Sequence, residues 1–206
     1  MADRVPLDFD PAVHGLRSLL LGITDDALTG PTPCAQWSVG DLLDHIVRLS
    51  LEFTQAARKL GEARPPEQPS AASLPRHWRS RLPVLLEELA VAWRDPDAWT
   101  GTAAAGGVTL PAAEMGRVAM TEVIMHSWDL ARATGQEFIA DPRVLEALAE
   151  FLSQAALTDA PGLFGPRVAV SEDAPLLDQV LGLAGRDPRW HPGHPGVSAR
   201  SSSAAS

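Results

Sequence analysis

The chain has 206 residues, of which 45% are hydrophobic, so it is long and apolar enough to form a folded domain with a sizeable core. Its formal net charge of −9, with no run of Lys or Arg, argues against nucleic-acid binding, which requires a basic surface. The sequence has neither the layout of a signal peptide nor an apolar stretch of roughly 20 residues, so we expect a cytoplasmic protein without a membrane partner.

Helical periodicity dominates the first part of the chain. A first helix is predicted over residues 10–26, and the Gly/Pro-rich stretch 30–33 ends it. Ser38 is the predicted N-cap of a second helix, with Asp41 at its N3 position, and this helix fades near Gly61. The inward stripe of the second helix is predicted to consist of Leu42, His45, Ile46, Leu49 and Phe53.

The middle of the chain continues the helical pattern. A third helix is predicted over residues 73–94, with a kink at Pro83. Residues 98–110 are rich in Gly, Thr and Ala, which is typical of a loop or a short hairpin. The fourth helix is predicted to begin near Pro111 and to stop at Gly135. Residues on one face of this helix are Met115, Ala119, Glu122, His126, Leu130 and Ala133.

The C-terminal part is predicted to be a small appendage. It comprises a fifth helix over residues 144–157, a short strand over residues 167–171 and a final helix over residues 176–184. Residues 1–192 are therefore predicted to form a single all-α domain, a four-helix bundle with a short helical and strand appendage. The Gly/Ser/Ala-rich residues 193–206 are predicted to be a disordered tail.

A Glu-x-x-x-His pair on the fourth helix is the feature that bears most on function. Glu122 and His126 are four residues apart, which places both side chains on one helix face, one turn apart. His45 lies on the inward stripe of the second helix. Three such ligands from two helices can bind a divalent metal and leave coordination positions open, as in a catalytic site. The alternative is a buried Glu–His hydrogen bond, or a polar network that His45 closes.

Other chemically capable side chains carry weaker signals. Cys34 is the single cysteine, so no internal disulfide can form; apolar packing is the favoured interpretation, although an exposed thiol near a helix N-terminus would be reactive. Asp44 and Asp129 neighbour the candidate ligands, and either could orient an imidazole or be solvated. Arg48 could hold an anionic substrate or lie at the surface. The remaining histidines are expected outside the site: His14, His77, His191 and His194.

Several segments resemble the motifs of a known family. Residues 31–39, Pro-Thr-Pro-Cys-Ala-Gln-Trp-Ser-Val, and residues 41–45, Asp-Leu-Leu-Asp-His, resemble the N-terminal motif of the DinB/YfiT-like metalloprotein superfamily. More narrowly, they resemble the branch that includes the N-terminal domain of mycothiol-dependent maleylpyruvate isomerase. Residues 121–135 resemble the second motif of that branch. Residues 164–166 and 185–190 resemble the C-terminal part of a group described as metal-binding.

The resemblance implies a DinB-like four-helix bundle and a divalent metal, zinc or nickel, held by His45, Glu122 and His126. It also implies mycothiol, a low-molecular-weight thiol, as a co-substrate. The isomerase has a further C-terminal domain that contributes to its active site, and this chain is too short to include it. The isomerase reaction is therefore not carried over, and thiol transfer or conjugation remains as the wider class.

The expected function is thus that of a metal-dependent, mycothiol-dependent transferase that acts on a small electrophilic molecule. The alternatives are a non-catalytic metal-binding or small-molecule-binding protein, and a metal-dependent hydrolase that uses a bound hydroxide. The expected partner is a small-molecule substrate, and a homodimer is an alternative to a monomer.

Overall fold

The computed structural model describes residues 6–65, 67–155 and 165–193. Within these residues the chain is mostly helical and contains one antiparallel hairpin. The helices are α1 (Asp10–Leu21), α2 (Val39–Ala57), α3 (Trp78–Arg94), α4 (Ala112–Thr134), α5 (Pro142–Ala155) and α6 (Leu176–Leu183). The strands are β1 (Thr102–Ala105) and β2 (Val108–Pro111), and Ala103 pairs with Leu110.

The first four helices enclose the main core. Both α1 and α2 pack against α3 and against α4, while α5 packs against α6 and α4. At one end of this core the ring of Trp93 stacks on Phe9 at a centroid distance of 5.7 Å and meets Trp99 edge-on at 5.0 Å. Aromatic pairs in these arrangements add to the stabilisation that apolar burial provides. The packing fixes α2 against α4, the two helices that carry the candidate ligands.

Local sequence signals set the start of α2 and the end of α4. The hydroxyl of Ser38 accepts a hydrogen bond from the amide of Asp41, whose carboxylate in turn accepts one from the amide of Ser38. This capping box satisfies amide donors at the helix start and is worth about 0.5–2 kcal/mol. Helix α4 ends at Gly135, whose φ of 69° is the left-handed conformation that glycine adopts without strain. Both predicted helix boundaries are confirmed.

The third helix begins later than its periodicity suggests. Residues 73–77 were predicted to be helical, but α3 starts at Trp78, and a separate short 3-10 turn covers Ala71–Ser73. The cause is Pro75, because the ring of a proline disfavours the helical conformation at the preceding residue. Leu74 is accordingly extended, with ψ of 121°. Pro83 lies inside α3.

The predicted strand over residues 167–171 is wrong. This segment has no strand conformation and instead packs against the end of α6, where the amide of Val168 donates to the carbonyl of Gly182. The side chain of Val170 lies directly over Gly182, where even an added Cβ would come within 2.5 Å of it. The alternation of apolar residues therefore reflects contact with a helix and not pairing in a sheet. The hairpin predicted within residues 98–110 is confirmed, with its second strand reaching Pro111.

Other boundaries shift by a few residues. Helix α1 ends at Leu21 and not at residue 26, and α5 begins at Pro142. The predicted end of the fifth helix at Leu157 lies outside the described residues, as does the predicted tail of residues 193–206 except for Gly193. The division into a domain of residues 1–192 and a tail stays a prediction. None of the helices in the described ranges has the length and hydropathy needed to cross a membrane.

Two helical glycines give matched tests of this packing. An added Cβ at Gly116 in α4 would lie 2.5 Å from the ring of Trp99 and 2.9 Å from that of Trp93, whereas one at Gly15 in α1 would meet nothing within 4 Å. We expect Gly116→Ala to lower the free energy of unfolding by about 1–3 kcal/mol through overpacking. Gly15→Ala should raise it by about 0.5–1 kcal/mol through helix propensity. Urea unfolding measures both, and a stabilised Gly116→Ala would contradict the tryptophan packing.

Candidate metal centre

The three side chains that the sequence singles out lie together between α2 and α4. Oε2 of Glu122 is 2.9 Å from Nε2 of His126 and 3.5 Å from Nε2 of His45. The three ligand atoms lie within 4.8 Å of one another. The two imidazole rings meet edge-on with centroids 4.7 Å apart. One carboxylate oxygen therefore faces two imidazole nitrogens from different helices.

The group is buried on one side and open on the other. The side chain of His126 is 4% exposed, whereas those of His45 and Glu122 are 23% and 20% exposed. The indole of Trp37 packs against both imidazoles, 4.9 Å from the ring of His45 and 6.2 Å from that of His126. A small molecule can thus approach from the side of His45 and Glu122, next to an aromatic wall.

The second ring nitrogen of His126 faces another carboxylate. Its Nδ1 lies 2.9 Å from Oδ2 of Asp129, whose side chain is fully buried. A neutral imidazole has one N–H, so it can donate to only one of these two carboxylates. The contact with Glu122 or the one with Asp129 then needs a further cation, either a second proton on the ring or a metal ion.

The charges of these groups shift their pKa values in opposite directions. Burial would lower the pKa of His126, but Asp129 and Glu122 outweigh it and hold that pKa well above its ordinary value. Burial would likewise raise the pKa of Glu122, but the hydrogen bonds from His126 and His45 keep it well below its ordinary value. For His45, burial prevails and lowers the pKa. The site therefore holds an ionised Glu122 beside a neutral His45.

This donor set fits a divalent transition metal. Two imidazole nitrogens and one carboxylate oxygen are ligands that zinc accepts in catalytic sites with three protein ligands. Ligand atoms that bind tetrahedral zinc at about 2.0–2.1 Å are about 3.3 Å apart, and the observed separations of 2.9 Å and 3.5 Å lie on either side of that value. The carboxylate on Nδ1 of His126 is the usual outer partner of a metal-binding imidazole.

Asp129 is surrounded by hydrogen-bond donors. The thiol of Cys34 lies 3.0 Å from Oδ2 of Asp129, and Nη2 of Arg186 lies 3.0 Å from the same oxygen. Nε of Arg186 approaches Oδ1 of Asp129 at 3.4 Å. Although burial alone would raise the pKa of Asp129, Arg186 and His126 lower it. Of the two aspartates considered from the sequence, Asp129 is thus the one that contacts a histidine.

Cys34 makes polar contacts in addition to apolar packing. Its sulfur accepts a hydrogen bond from Nη2 of Arg186 at 3.4 Å and lies 3.9 Å from Nδ1 of His126. Burial and the charge of Asp129 raise the pKa of its thiol, which opposes the activation that the helix start suggested. Cys34, His126 and Asp129 could by geometry form a second metal group. The guanidinium of Arg186 already supplies the positive charge at this place.

The other candidates lie apart from the three ligands. Asp44 accepts hydrogen bonds from Arg48 and from the amide of Ser70, so it orients a loop and not a histidine. Arg48 also pairs with Glu67. The exposed histidines away from the site are His14, His77 and His191, and His194 lies outside the described residues.

Sequence reasoning did not single out Arg186 or Trp37 as site residues. Both belong to segments that resembled family motifs, but neither lies on a periodic helix face that would place it at the centre. Motif membership was the only signal for them.

Comparison with known proteins gives the family. The model of the mycothiol maleylpyruvate isomerase N-terminal domain matches residues 9–131. The match to an uncharacterized protein of Mycobacterium tuberculosis (strain CDC 1551 / Oshkosh) has 31% identity over 193 residues. The match covers 86% of this chain and 95% of the relative. An uncharacterized protein from a second strain of that species matches with the same values.

A solved structure agrees at the level of the fold. The crystal structure of the mycothiol-dependent maleylpyruvate isomerase superimposes with a TM-score of 0.54 at 21% sequence identity. The match covers 70% of this chain and 66% of that chain, so this protein spans just under two thirds of the solved enzyme. The resemblance recognised in the sequence is confirmed, and the chain belongs to the family of the mycothiol maleylpyruvate isomerase N-terminal domain.

Proposed function

We propose that this protein is a metal-dependent enzyme that adds a low-molecular-weight thiol, mycothiol, to a small electrophilic molecule. The observation that carries the proposal is the convergence of His45, Glu122 and His126 on one partly open site. We further propose that α1 to α4 form a DinB-like four-helix bundle, which the pairwise packing of these helices supports. Zinc or nickel is the proposed metal.

The number and exposure of the ligands favour a catalytic over a structural metal. Structural zinc sites are closed by four protein ligands, whereas catalytic sites use three and leave a position for water or substrate. Here three ligand side chains converge, and two of them remain about one fifth exposed. The open side is the place where a fourth, external ligand would bind.

The charge balance favours an anionic external ligand. In the metal-free site the carboxylates of Glu122 and Asp129 are balanced by Arg186 and a protonated His126. Exchange of that proton for a divalent cation leaves one excess positive charge in a mostly buried site. A thiolate would neutralise this charge, whereas a neutral thiol or water would not.

The proposed reaction requires no oxidant or reductant. A divalent ion held by His45, Glu122 and His126 would supply Lewis acidity, which would lower the pKa of a thiol at the open side. The sulfur forms a bond to one carbon of an activated double bond, and the π electron pair moves to the neighbouring carbon, which takes up the proton that the thiol released to solvent. Asp129 keeps His126 oriented during this step, and Trp37 offers an apolar wall to the electrophile. The word mycothiol in the name of the family supports the choice of thiol.

The first prediction concerns metal content. We expect one divalent ion per chain in protein purified without added metal, and loss of that ion in His45→Ala and Glu122→Ala, because each change removes one of three ligands. Elemental analysis measures the metal. His77→Ala is the matched control, since His77 is exposed at the start of α3 and should retain full metal content. Unchanged metal in both ligand variants would rule out this site.

The second prediction concerns pH. Because the carboxylates raise the pKa of His126, its Nε2 holds a proton in the metal-free protein near neutral pH, and a metal must displace that proton. Zinc affinity should therefore rise with pH, by up to about tenfold per unit for one displaced proton. Competition with a chromophoric chelator between about pH 6 and pH 8 measures this slope. An affinity that does not change over this range would contradict the assigned protonation.

The third prediction concerns the thiol. In cobalt-substituted protein, binding of mycothiol at the open position should change the visible absorption spectrum, because a thiolate sulfur would then ligate the cobalt. Glu122→Ala should show no such change. If neither mycothiol nor another small thiol alters the spectrum, with or without an electrophile present, thiol transfer is wrong, and hydrolysis or simple binding takes its place.

A further inference from the structure

We infer that Arg186 is a positioning residue for the proposed metal: it fixes the carboxylate of Asp129, which in turn fixes the ring of His126 with Nε2 toward the metal. This inference rests on the proposed function, because it assumes that a metal binds at His126. It assigns a role to the C-terminal segment, residues 165–193, which contributes none of the three ligands.

The guanidinium of Arg186 is held at several points. Nε and Nη2 approach the two carboxylate oxygens of Asp129 at 3.4 Å and 3.0 Å, and Nη1 donates to the carbonyl of Ala184 at 3.1 Å. The backbone amide of Arg186 donates to the carbonyl of Leu181 at 2.8 Å, at the end of α6. The side chain is 15% exposed. A two-point contact of this kind sets the orientation of the carboxylate as well as its charge.

The backbone next to Arg186 is placed by a close approach of two chain segments. Gly185 has φ of 81° and lies against Gly165, so that an added Cβ would come within 2.8 Å of the Gly165 backbone. Further along, the carbonyl of Trp190 accepts a hydrogen bond from Nε of Arg132 in α4 at 3.0 Å. The segment is therefore attached to α4 at two places, through Arg186 and through Arg132.

The consequence of this geometry concerns the orientation of the His126 ring. The two-point contact with Arg186 holds the carboxylate of Asp129 so that Oδ2 lies 2.9 Å from Nδ1 of His126. In this position Oδ2 can accept the Nδ1–H of the ring. With its proton on Nδ1, a neutral imidazole directs the lone pair of Nε2 toward Glu122 and the proposed metal. Loss of Arg186 should therefore weaken metal binding without removal of any ligand.

The test compares zinc dissociation constants, measured with a chromophoric chelator, for five proteins. These are the wild type, Arg186→Gln, Arg186→Lys, Arg132→Gln and Glu122→Gln. Arg186→Gln should weaken binding by about 10–100-fold, as is usual when an outer partner of a metal ligand is lost. Arg186→Lys keeps the charge but not the two-point contact. Its zinc dissociation constant should therefore lie between those of Arg186→Gln and the wild type. Arg132→Gln, which loses the other attachment of the same segment, should bind zinc like the wild type.

A spectroscopic readout separates positioning from general damage. In the zinc-loaded wild type, the Nδ1 proton of His126 should give a downfield proton resonance because it is hydrogen-bonded to a carboxylate. This resonance should shift or broaden in Arg186→Gln and Arg186→Lys and stay in place in Arg132→Gln. Circular dichroism should show equal helix content in all five proteins.

The outcomes distinguish this inference from the proposed function. If the wild type binds no zinc, or Glu122→Gln binds it equally well, the proposed metal site is wrong and the inference falls with it. If Glu122→Gln loses zinc but Arg186→Gln retains wild-type affinity, only the inference is overturned. The same holds if Arg132→Gln weakens binding as much as Arg186→Gln, because attachment of the segment would then explain the effect. If Arg186→Gln does not fold, wild-type zinc affinity in Arg186→Lys overturns the inference.

Discussion

A buried imidazole between two carboxylates is the interaction on which the rest of this site depends. Glu122, His126 and Asp129 follow one another at spacings of four and three along α4, so all three share one inward face. Each neighbour of His126 then has a definite task. Glu122 is shared with His45 on the open side, and Asp129 is shared with Arg186 and Cys34 on the closed side. The imidazole thus connects a site that faces solvent with a polar network that faces the interior.

The asymmetry between the two sides has an energetic reason. On the closed side little water can solvate a charge, so protein groups must compensate it. Arg186 provides that compensation for Asp129. On the open side, Glu122 keeps about one fifth of its side chain exposed, and solvent or an external ligand can complete its surroundings. A rigid interior support beside an open position is the arrangement that preorganised metal sites require.

Helical periodicity was enough to predict the main features of the fold and the proximity of the three candidate ligands. The apolar stripes of α2 and α4 face inward and include the polar candidate ligands. Ser38 and Gly135 marked helix ends through local hydrogen-bonding rules that act without tertiary context. Metal ligation by His45, Glu122 and His126 remains a prediction.

The errors and omissions share a physical cause, which is dependence on distant parts of the chain. The alternation of apolar residues over 167–171 is compatible with a strand and equally with contact to α6. Only the element that packs against this segment distinguishes the two conformations. Arg186 lies 57 residues from Asp129 in sequence and 152 from Cys34, so no local pattern could place its guanidinium at the site. The thiol of Cys34 was expected to pack against apolar side chains, because a free cysteine usually does. Its polar neighbours, Asp129 and Arg186, belong to two segments that are distant in sequence.

The position of Arg186 also bears on where this chain could be divided. The match to the family's N-terminal domain stops at residue 131, before the segment that carries Arg186 begins. A fragment cut at that boundary would keep all three candidate ligands but lose the guanidinium that pairs with Asp129. The end of the matched domain therefore separates Asp129 from the guanidinium with which it pairs. For this chain, the smallest piece that keeps the ion pair between Asp129 and Arg186 is longer than the matched domain.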